Sequence, residues 1–570
     1  MKAAGNLEIA EQLREIAAYL RLLGDNPWKA QAYDNAASAV EALGSSLDRL
    51  VQEGHLTSAP GIGDSTAAII TEIYRTGGAA RLERLRGELP RGLLELAQVP
   101  GLTLARIRAL HAGLGITDLA GLREALAAER VRTLKGFGPR TEEKIREALE
   151  RYQDQPARLL LLQAREATEG LARSLRALTG VARVEAAGAV RRWKETVGTL
   201  RLVLAAERPG AALDAFAHAR SLAHLQRPSP ETLVGRLGDG TPLQLTAVPP
   251  ARFASAWLLQ TADAAHRARL EELAAERHLD LAALEGADDE AAVYRRLGLP
   301  EIPPELREGT ASIDDARAGD DFGDLVTIGD IQGATHCHTT FSDGRASVEE
   351  MARAAEAMGM RYLTITDHSP TAFYAGGVTV DRLEKQWAEI AAVQESVGIR
   401  LVRGTESDLL GDGALDYPDE VLARFEVIIA SVHNRLKLDE AQMTERLVRA
   451  MRLPLFKVWG HPLGRLVLRR DPLACRIEEV LDAVAASPAA VEINGDPYRL
   501  DLPPEHVRKA RARGIRFLIS TDAHSTSDLQ NLPYGVAMAR RGGVRRHEVL
   551  NALPAEAFLE AVSPRERRAV

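Results

Sequence analysis

Apolar positions at the start of the chain repeat with the period of an α-helix. Within residues 6–45 they recur every three or four positions, at Ile9, Leu13, Ile16, Leu20 and Leu23. This spacing places them on one side of a helix, so the segment is predicted to form amphipathic helices that bury that side. After Val181 the pattern changes to short β-rich runs, with one strand predicted from Leu200 to Ala205. The chain therefore begins with helices and continues into a mixed region.

A different pattern, with a repeat of about 30 residues, begins after residue 330. Seven short apolar runs each end in polar residues, and amphipathic stretches such as 348–358 and 504–512 lie between them. This is the length of a strand–helix unit, so a (βα)7-type barrel is predicted, with its functional side chains at the carboxyl ends of the strands. The runs read GATHCH, YLTITDH, RLVRGTE, VIIASVH, FKVWGH, AAVEIN and RFLISTDAH.

Length and composition narrow the class of protein. A chain of 570 residues, 27% of them charged, is expected to form several globular domains. No apolar run approaches the ~20 residues of a membrane span, and two cysteines, Cys337 and Cys475, make no disulfide framework. We therefore expect a cytoplasmic, nucleoid-associated monomer without membrane contact. The net charge of −8 argues against a generally basic DNA-coating protein but leaves local phosphate sites open.

Three glycine-containing turns in the helical N-terminal part of the chain are candidates for DNA contact. They read LTSAPGIG at 56–63, LAQVPG at 96–101 and LKGFG at 134–138, each between helical segments. Such turns point backbone N–H groups at a phosphate without reading sequence. They resemble helix-hairpin-helix motifs, the second degraded because Thr103 replaces a glycine; the alternative is plain helical hairpins. The candidate DNA-binding residues are Gly61, Gly63, Gly101, Lys135, Gly136, Gly138 and Arg140.

Six histidines and three acids stand at or near the ends of the predicted barrel strands. Imidazole and carboxylate ligands together suit Mn²⁺, Zn²⁺ or Fe²⁺, and nine ligands are enough for three ions that share bridges. Cys337 lies between two of the histidines and is expected to point the other way, into the packing. The candidate metal ligands, which are also the candidate catalytic residues, are His336, His338, Asp343, His368, Glu406, His433, His461, Asp522 and His524.

The string GAVRRWKETVG at 188–198 resembles the signature of family X DNA polymerases. The order of segments along the whole chain is similar to that of a bacterial PolX with a C-terminal PHP (polymerase and histidinol phosphatase) domain. The resemblance implies a multidomain α/β protein whose α+β palm and thumb are nucleotidyltransferase-like. It divides the chain into a helical DNA-binding domain at 1–85, fingers with further hairpin motifs at 86–160, a degenerate polymerase palm at 161–250, a thumb at 251–308, a linker at 309–330 and a PHP phosphoesterase barrel at 331–570.

For the barrel, the resemblance implies up to three ions, Mn²⁺ or Zn²⁺, that hydrolyse phosphate esters. The resemblance places one ion at His336, His338, Glu406 and Asp522. It places a second ion at Glu406, His433 and His461, and a third at Asp343, His368 and His524. Arg465 is expected to clamp a phosphate. Glu492, Asn494 and Arg499 are expected to support the ligands.

The palm departs from the family pattern at the positions that hold Mg²⁺ or Mn²⁺ in a polymerase. The three carboxylates are replaced by Thr199, Arg201 and Gln244, and Arg201 brings a positive charge to a cation site. Glu195 remains as a makeshift ligand. Further departures are Ile69, where a lyase would carry a Schiff-base lysine, and the altered turn Thr261-Ala262-Asp263. Four residues are left to bind a nucleotide or DNA phosphate, or to form a solvated basic face: Gly188, Arg191, Arg192 and Lys194.

The hypothesis that these patterns favour is a DNA-repair protein whose PHP barrel acts as a 3′–5′ exonuclease. Its substrates would be gapped, single-stranded or damaged DNA, including abasic sites and 3′-phosphates, held by the hairpin motifs. Template-directed polymerisation is implied by the family but opposed by the missing carboxylates. Three alternatives remain: a Mn²⁺-dependent gap-filling polymerase with an unorthodox metal site, a small-molecule phosphatase, and a non-enzymatic scaffold at DNA ends.

Overall fold

A computed structural model describes residues 6–24, 26–42, 46–59, 61–90, 92–97, 99, 102–153, 158–219, 223–237 and 241–564. The chain divides into two compact units, the first formed by residues 1–156 and the second by most of the remaining chain. None of the helices in these ranges combines the length and the hydropathy that crossing a bilayer requires.

The first unit is helical, as the periodicity predicted. Ile9, Leu13, Ile16 and Leu20 are all at most 2% exposed, whereas Leu23, the last residue of its helix, is 43% exposed and does not join the buried face. Its described helices are α1 Asn6–Leu23, α2 Pro27–Ala42, α3 Ser46–Glu53, α4 Asp64–Thr76, α5 Ala80–Glu88, α6 Gly92–Leu96, α7 Leu104–Leu114, α8 Leu119–Ala127 and α9 Pro139–Gln153.

The second unit opens with a five-stranded mixed sheet. Its strand order is β2-β4-β7-β6-β5. Strands β1 and β3 of the same region form a separate two-stranded sheet. The strand predicted at 200–205 is present as β4. The strands are β1 Leu159–Leu160, β2 Val181–Ala187, β3 Thr196–Val197, β4 Leu200–Ala206, β5 Ala223–Ser229, β6 Thr232–Arg236 and β7 Pro242–Val248; the helices of this region are α10 Leu161–Arg176, α11 Gly188–Arg191 and α12 Pro209–Ala219.

A helical segment and a folded connection join this sheet to the barrel. The helices are α13 Phe253–Thr261, α14 Ala264–Ala275, α15 Glu290–Arg296 and α16 Ala311–Arg317. The segment expected as a linker, 309–330, is ordered: it contains α16, and Val326 N–H donates to the Val544 carbonyl at 3.0 Å. Arg545 also lies 2.6 Å from Asp324. The polar composition of 309–330 predicted an unstructured linker. Instead, Asp324 of this segment forms an ion pair with Arg545 of the barrel.

The C-terminal part of the second unit is the predicted barrel. Seven parallel strands follow one another in the order β8 to β14. The first and last meet where His338 N–H donates to the Ala523 carbonyl at 2.8 Å, which nearly closes the cylinder. The strands are β8 Gly333–Cys337, β9 Tyr362–Ile365, β10 Arg400–Asp408, β11 Val427–Ser431, β12 Lys457–Trp459, β13 Ala489–Asn494 and β14 Phe517–Ser520.

Helices connect these strands and cover the barrel. They are α17 Val348–Ala357, α18 Val380–Gln394, α19 Asp419–Leu422, α20 Glu440–Met451, α21 Ile477–Ala485, α22 Pro504–Arg511, α23 Leu532–Arg541 and α24 Ala555–Val562. Parallel strands must be connected by crossovers, and helices in those crossovers shield both strand edges and faces. The polar residues that end each strand are thereby gathered at one rim of the barrel.

Candidate metal centre

The rim of the barrel brings ligand atoms from all nine predicted residues into four overlapping groups. Within each group the ligand atoms lie within 4.8 Å of one another. Most of these side chains are buried, and His433 and His524 are partly exposed. The groups are His338, Asp343, His368 and His524; His336, His338 and Asp522; His336, Glu406 and His461; and His368, Glu406 and His433.

Glu406 is the centre of this arrangement. It is 1% exposed and belongs to β10. One carboxylate oxygen accepts a hydrogen bond from His461 Nε2 at 2.8 Å, and the other lies 2.9 Å from His368 Nδ1. Nε2 atoms of His336 and His433 each lie 3.3 Å away. A single carboxylate thus connects imidazoles from four strand ends, which is the position of a bridging ligand.

Other polar side chains hold the second nitrogen of two rings. His336 Nδ1 lies 2.5 Å from Glu492 Oε1, and His433 Nδ1 lies 2.6 Å from Asp408 Oδ1. A carboxylate at Nδ1 orients the ring and leaves Nε2 for a metal. Glu492 was expected from the sequence as a supporting residue, whereas Asp408 was not. The signal was present, because Asp408 stands two residues after Glu406 on the same strand and so shares its side of the sheet.

Asp522 is held by two of the residues that were expected to support the ligands. Arg499 Nε lies 3.1 Å from Asp522 Oδ2, and the Asn494 side-chain amide donates to the same oxygen at 3.2 Å. These contacts engage one oxygen, whereas Oδ1 lies 3.4 Å from His338 Nε2. One carboxylate oxygen of Asp522 therefore contacts the supporting residues Arg499 and Asn494, and the other lies near the candidate metal ligand His338.

The backbone at three candidate ligands is left-handed rather than extended. The φ angles are 57° at His336, 51° at Asp522 and 22° at His461, and the β8 register shifts between Ala334 and Cys337. The two-residue spacing of His336 and His338 predicts that regular strand alternation brings their side chains together. The positive φ at His336 and the register shift show that alternation alone does not do so. Positive φ is unfavourable for residues with a Cβ and is typical of functional sites held by their surroundings. Cys337 is fully buried in the apolar core, as expected.

The charges of the centre are strongly coupled. Burial would raise the pKa of Glu406, but His433, His368 and His336 outweigh burial and hold that pKa well below its usual value. Burial likewise lowers the pKa of His433, but Glu406 and Asp408 raise it to about 9. His461 behaves oppositely, since burial and then Arg499 lower its pKa to about 4. The centre thus contains an ionised carboxylate beside both protonated and neutral imidazoles.

The raised pKa of His433 predicts that the stability of the metal-depleted protein and the stabilisation that metal adds change with pH in opposite directions. From its ordinary value of 6.5 to about 9, the folded chain keeps a proton that the unfolded chain loses. The metal-depleted protein should therefore lose stability as pH rises through this window. A metal ion requires the neutral ring, so the increase in Tm that Mn²⁺ causes should grow over the same window. Thermal melts from about pH 6 to 9, with EDTA or with MnCl₂, measure both; a metal-induced shift independent of pH would contradict the assignment.

Asp408→Asn is expected to weaken metal binding about 10- to 100-fold without removing a ligand. The amide cannot supply the anionic partner that His433 Nδ1 has at 2.6 Å. Calorimetric titration of the metal-depleted protein measures the affinity. Asp419→Asn, at an exposed position on α19, is the matched control. Equal affinities of the two variants would rule out a supporting role for Asp408.

Among the predicted phosphate-binding residues of the sheet region, the three cations of the signature string are in ion pairs. Arg191 lies 2.5 Å from Glu290, and Arg192 and Lys194 lie 3.0 and 3.2 Å from Glu308. They are therefore not a solvated basic face, because the Arg191 and Arg192 side chains are only 14% and 11% exposed. Gly188, at φ 60°, adjoins Arg201.

Glu195 and Arg465 are similarly committed. Glu195 lies 2.6 Å from Arg541 and 3.4 Å from Arg465. Burial acts to raise the pKa of Glu195, but Arg541 and Arg465 bring it to about 2. Arg465 Nε also donates to the Arg499 carbonyl at 3.0 Å. These contacts connect the sheet region to the barrel rim, and they leave Glu195 poorly suited to serve as a makeshift metal ligand.

The positions of the three replaced carboxylates contain no alternative acid cluster within the described ranges. Arg201 and Gln244 face each other across the parallel pair β4 and β7. The Gln244 amide donates to Gln260 at 3.1 Å. All groups of three or more potential ligands in the described chain lie at the barrel rim. Among the described residues, no group of three or more potential metal ligands therefore lies at the positions of the replaced carboxylates.

The glycine turns of the first unit begin helices, as the motifs predicted. Gly61 and Gly136 have φ angles of 92° and 91°, which favour glycine. Gly63 is the N-cap of α4, and Gly138 is followed by α9, while Lys135 and Arg140 are exposed. In the second turn Gly101 lies outside the described residues. Thr103 is the N-cap of α7, and its hydroxyl accepts from Arg106 N–H at 3.3 Å. Ile69, on α4, packs against an apolar cluster.

Comparison with known proteins finds three matching family models. Models of a helix-hairpin-helix domain and of a SAM-like helix-hairpin-helix tandem match residues 4–79 and 93–151, and the PHP domain model matches residues 334–495. The DNA polymerase/3′–5′ exonuclease PolX of Bacillus subtilis is 33% identical over 97% of this chain and 99% of its own length. The chain belongs to the PolX family. The expected family and fold class are confirmed.

The barrel also has smaller relatives. A probable phosphatase of Caldanaerobacter subterraneus is 26% identical over 38% of this chain and 85% of its own length. A probable histidinol-phosphatase of Deinococcus radiodurans is 30% identical over 34% of this chain and 87% of its own length. The PHP domain of this PolX-family chain is a metal-dependent phosphoesterase domain, and its buried cluster of imidazoles and carboxylates is compatible with metal binding.

Proposed function

We propose that the barrel hydrolyses DNA phosphodiesters from the 3′ end with metal ions held at its rim. The observation that carries this proposal is the gathering of nine potential ligands into four overlapping groups at the barrel rim, two of which contain Glu406. The B. subtilis relative is named a 3′–5′ exonuclease and matches nearly the whole chain. The hairpin turns of the first unit supply the DNA contacts, through Gly61, Gly63, Gly101, Lys135, Gly136, Gly138 and Arg140.

The donor set fits metal ions better than it fits a structural hydrogen-bond network. Nε2 of His336 and Oε2 of Glu406 are buried, and no hydrogen bond satisfies either atom within the described chain. Buried polar atoms are rarely left in this state unless a ligand completes them. Mixed imidazole and carboxylate donors suit Mn²⁺ or Zn²⁺.

The proposed allocation draws on the four overlapping groups without repeating them, since His433 and His461 belong to different groups but each lies near Glu406 Oε1. His336, His338, Glu406 and Asp522 hold one ion, Glu406 is shared with His433 and His461 for a second, and Asp343, His368 and His524 hold a third. Ions held by these residues would supply an activated water and would offset the charge that develops on a phosphoryl group. The chain's own part is to fix the rings through Glu492 and Asp408, and to orient Asp522 through Arg499. Arg465 contacts backbone beside this rim, so it positions the His461 loop rather than reaching freely for a phosphate.

Digestion of 5′-labelled single-stranded DNA with MnCl₂ tests the proposal. The unmodified protein should produce a ladder that shortens from the 3′ end, and His338→Ala should abolish it. Persistence of the ladder in His338→Ala would refute catalysis at this site. Cleavage of a generic phosphate ester without cleavage of DNA would instead support the small-molecule phosphatase.

A paired variant separates DNA binding from hydrolysis. Lys135→Ala/Arg140→Ala removes two exposed cations of the third hairpin turn and should raise KM for DNA severalfold, with no effect on hydrolysis of a generic phosphate ester. Arg353→Ala/Lys385→Ala removes the same charge from exposed positions on barrel helices and should leave KM unchanged. Equal effects of the two pairs would exclude a specific role for the hairpin turn.

A further inference from the structure

The Arg201 side chain has no ion-pair or hydrogen-bond partner within the described residues, unlike the other cations around it. Arg191, Arg192 and Lys194 all lie within 3.2 Å of a glutamate oxygen. Arg201 is intermediate in exposure, so its guanidinium is neither fully solvated nor sealed. A partly buried guanidinium without a partner is unfavourable, and this makes it a candidate for binding an anion.

The surrounding backbone is built to accommodate this side chain. Arg201 is the second residue of β4 and pairs with Ala187 of β2 on one side and Gln244 of β7 on the other. Gly188, at φ 60°, lies so close that a Cβ there would be 2.9 Å from Arg201 Cδ. A larger residue at 188 would displace the arginine. Gln244 does not neutralise it, since it is neutral and its amide donates to Gln260.

The charged groups that act most strongly on Arg201 are themselves cations. Burial, and then the nearby cations Arg192 and Arg267, lower the pKa of Arg201. Arg267 is paired with Glu271 at 2.7 Å. The carboxylate of Glu308 is already shared by Arg192, Lys194 and Arg541. Glu271 and Glu308 are therefore already paired with these neighbouring cations, and no described acid forms an ion pair with Arg201.

We propose that Arg201 forms a metal-independent phosphate-binding site in this sheet, at the position where the family resemblance places metal-binding carboxylates. The ligand is a phosphate group presented either by a free nucleotide or by a DNA strand. The planar guanidinium presents two parallel donors that match two phosphate oxygens, and Arg192 and Arg267 add attraction. The site is independent of the exonuclease proposal, because it requires neither the barrel ligands nor an ion.

The test is phosphate binding by the full chain in EDTA, which removes the contribution of ions at the barrel rim. Two probes are titrated, pyrophosphate and a single-stranded oligonucleotide without terminal phosphate. Arg201→Gln should weaken the binding of at least one probe by about 10- to 100-fold, as expected for loss of charge-assisted hydrogen bonds. Arg173→Gln removes the same charge from an exposed position on α10 and should change neither affinity.

The outcomes are distinct. Loss of pyrophosphate binding alone assigns the site to nucleotides, and loss of oligonucleotide binding assigns it to DNA backbone; both support the proposal. Unchanged affinities for both probes, or equal losses in Arg173→Gln, overturn it. Because the Arg201 side chain has no ion pair or hydrogen bond to lose among the described residues, Arg201→Gln should melt no lower than the unmodified protein. If it does melt lower, Arg201→Lys decides, since it keeps the charge but lacks the two parallel donors: weaker binding supports the site, and equal binding overturns it.

Discussion

Glu406→Gln is expected to reduce Mn²⁺-dependent DNA hydrolysis by about a thousandfold or more. The carboxylate lies within 3.3 Å of nitrogen atoms from four histidines: His336, His368, His433 and His461. A neutral amide would not supply the negative charge that a carboxylate shared between ions provides. Steady-state digestion of labelled DNA measures the activity, and elemental analysis of the purified variant measures the bound metal.

The control for this prediction is Glu420→Gln, at an exposed position on α19. It makes the same chemical change far from the strand ends and should retain full activity and metal content. If Glu406→Gln keeps activity within tenfold of the unmodified protein while its metal content is unchanged, Glu406 does not bridge ions and the proposed allocation fails.

Arg307→Met is expected to destabilise the second unit by about 3–5 kcal/mol, the largest stability effect of a single substitution. Arg307 has a fully buried side chain whose two terminal nitrogens lie 2.6 and 3.0 Å from the two oxygens of Glu290, which is 3% exposed. Its Nε donates to the Ile302 carbonyl at 2.8 Å. Removal of the arginine leaves a buried carboxylate with Arg191 as its remaining partner. Chemical denaturation followed by circular dichroism measures the change.

Two variants test the physical reason. Arg269→Gln breaks an ion pair with Glu272 in the same helical region, where the glutamate is 63% exposed, and should not shift the denaturation midpoint measurably. Arg307→Met/Glu290→Met should recover only part of the loss, because Arg191 then becomes the unpaired charge. Full recovery, or a midpoint for Arg307→Met equal to that of Arg269→Gln, would show that the buried pair is not the source of the stability.

Local patterns were sufficient for the metal centre because its ligands recur at equivalent places. Each barrel strand is short and apolar, and the residue types that end it bind metals, so the parallel topology gathers them at one rim. His433 and His461 could be identified in this way without coordinates. Asp408 was missed although it stands two residues after Glu406 and so shares its side of β10, because the strand's more prominent acid was taken as the only functional one.

The cations of the signature string show the opposite case. A sequence containing Arg191, Arg192 and Lys194 is compatible with phosphate binding and with a solvated face alike. Their partners, Glu290 and Glu308, lie about 100 residues further along the chain, at 99 to 116 positions from the bonded cations. Ion pairs over such separations depend on how the chain folds back, which no periodicity reports.

By itself the sequence determined the helical front, the parallel barrel, its nine candidate ligands and the loss of the polymerase carboxylates. These features depend on local periodicity and on residue identity, both of which are read directly from the chain. Tertiary structure alone decided that Glu195 is ion-paired with Arg541 and Arg465, that 309–330 is folded, and that no described residue pairs with the Arg201 side chain. Those outcomes are set by distances between residues remote in sequence, and electrostatic and packing energies depend on distance rather than on order along the chain.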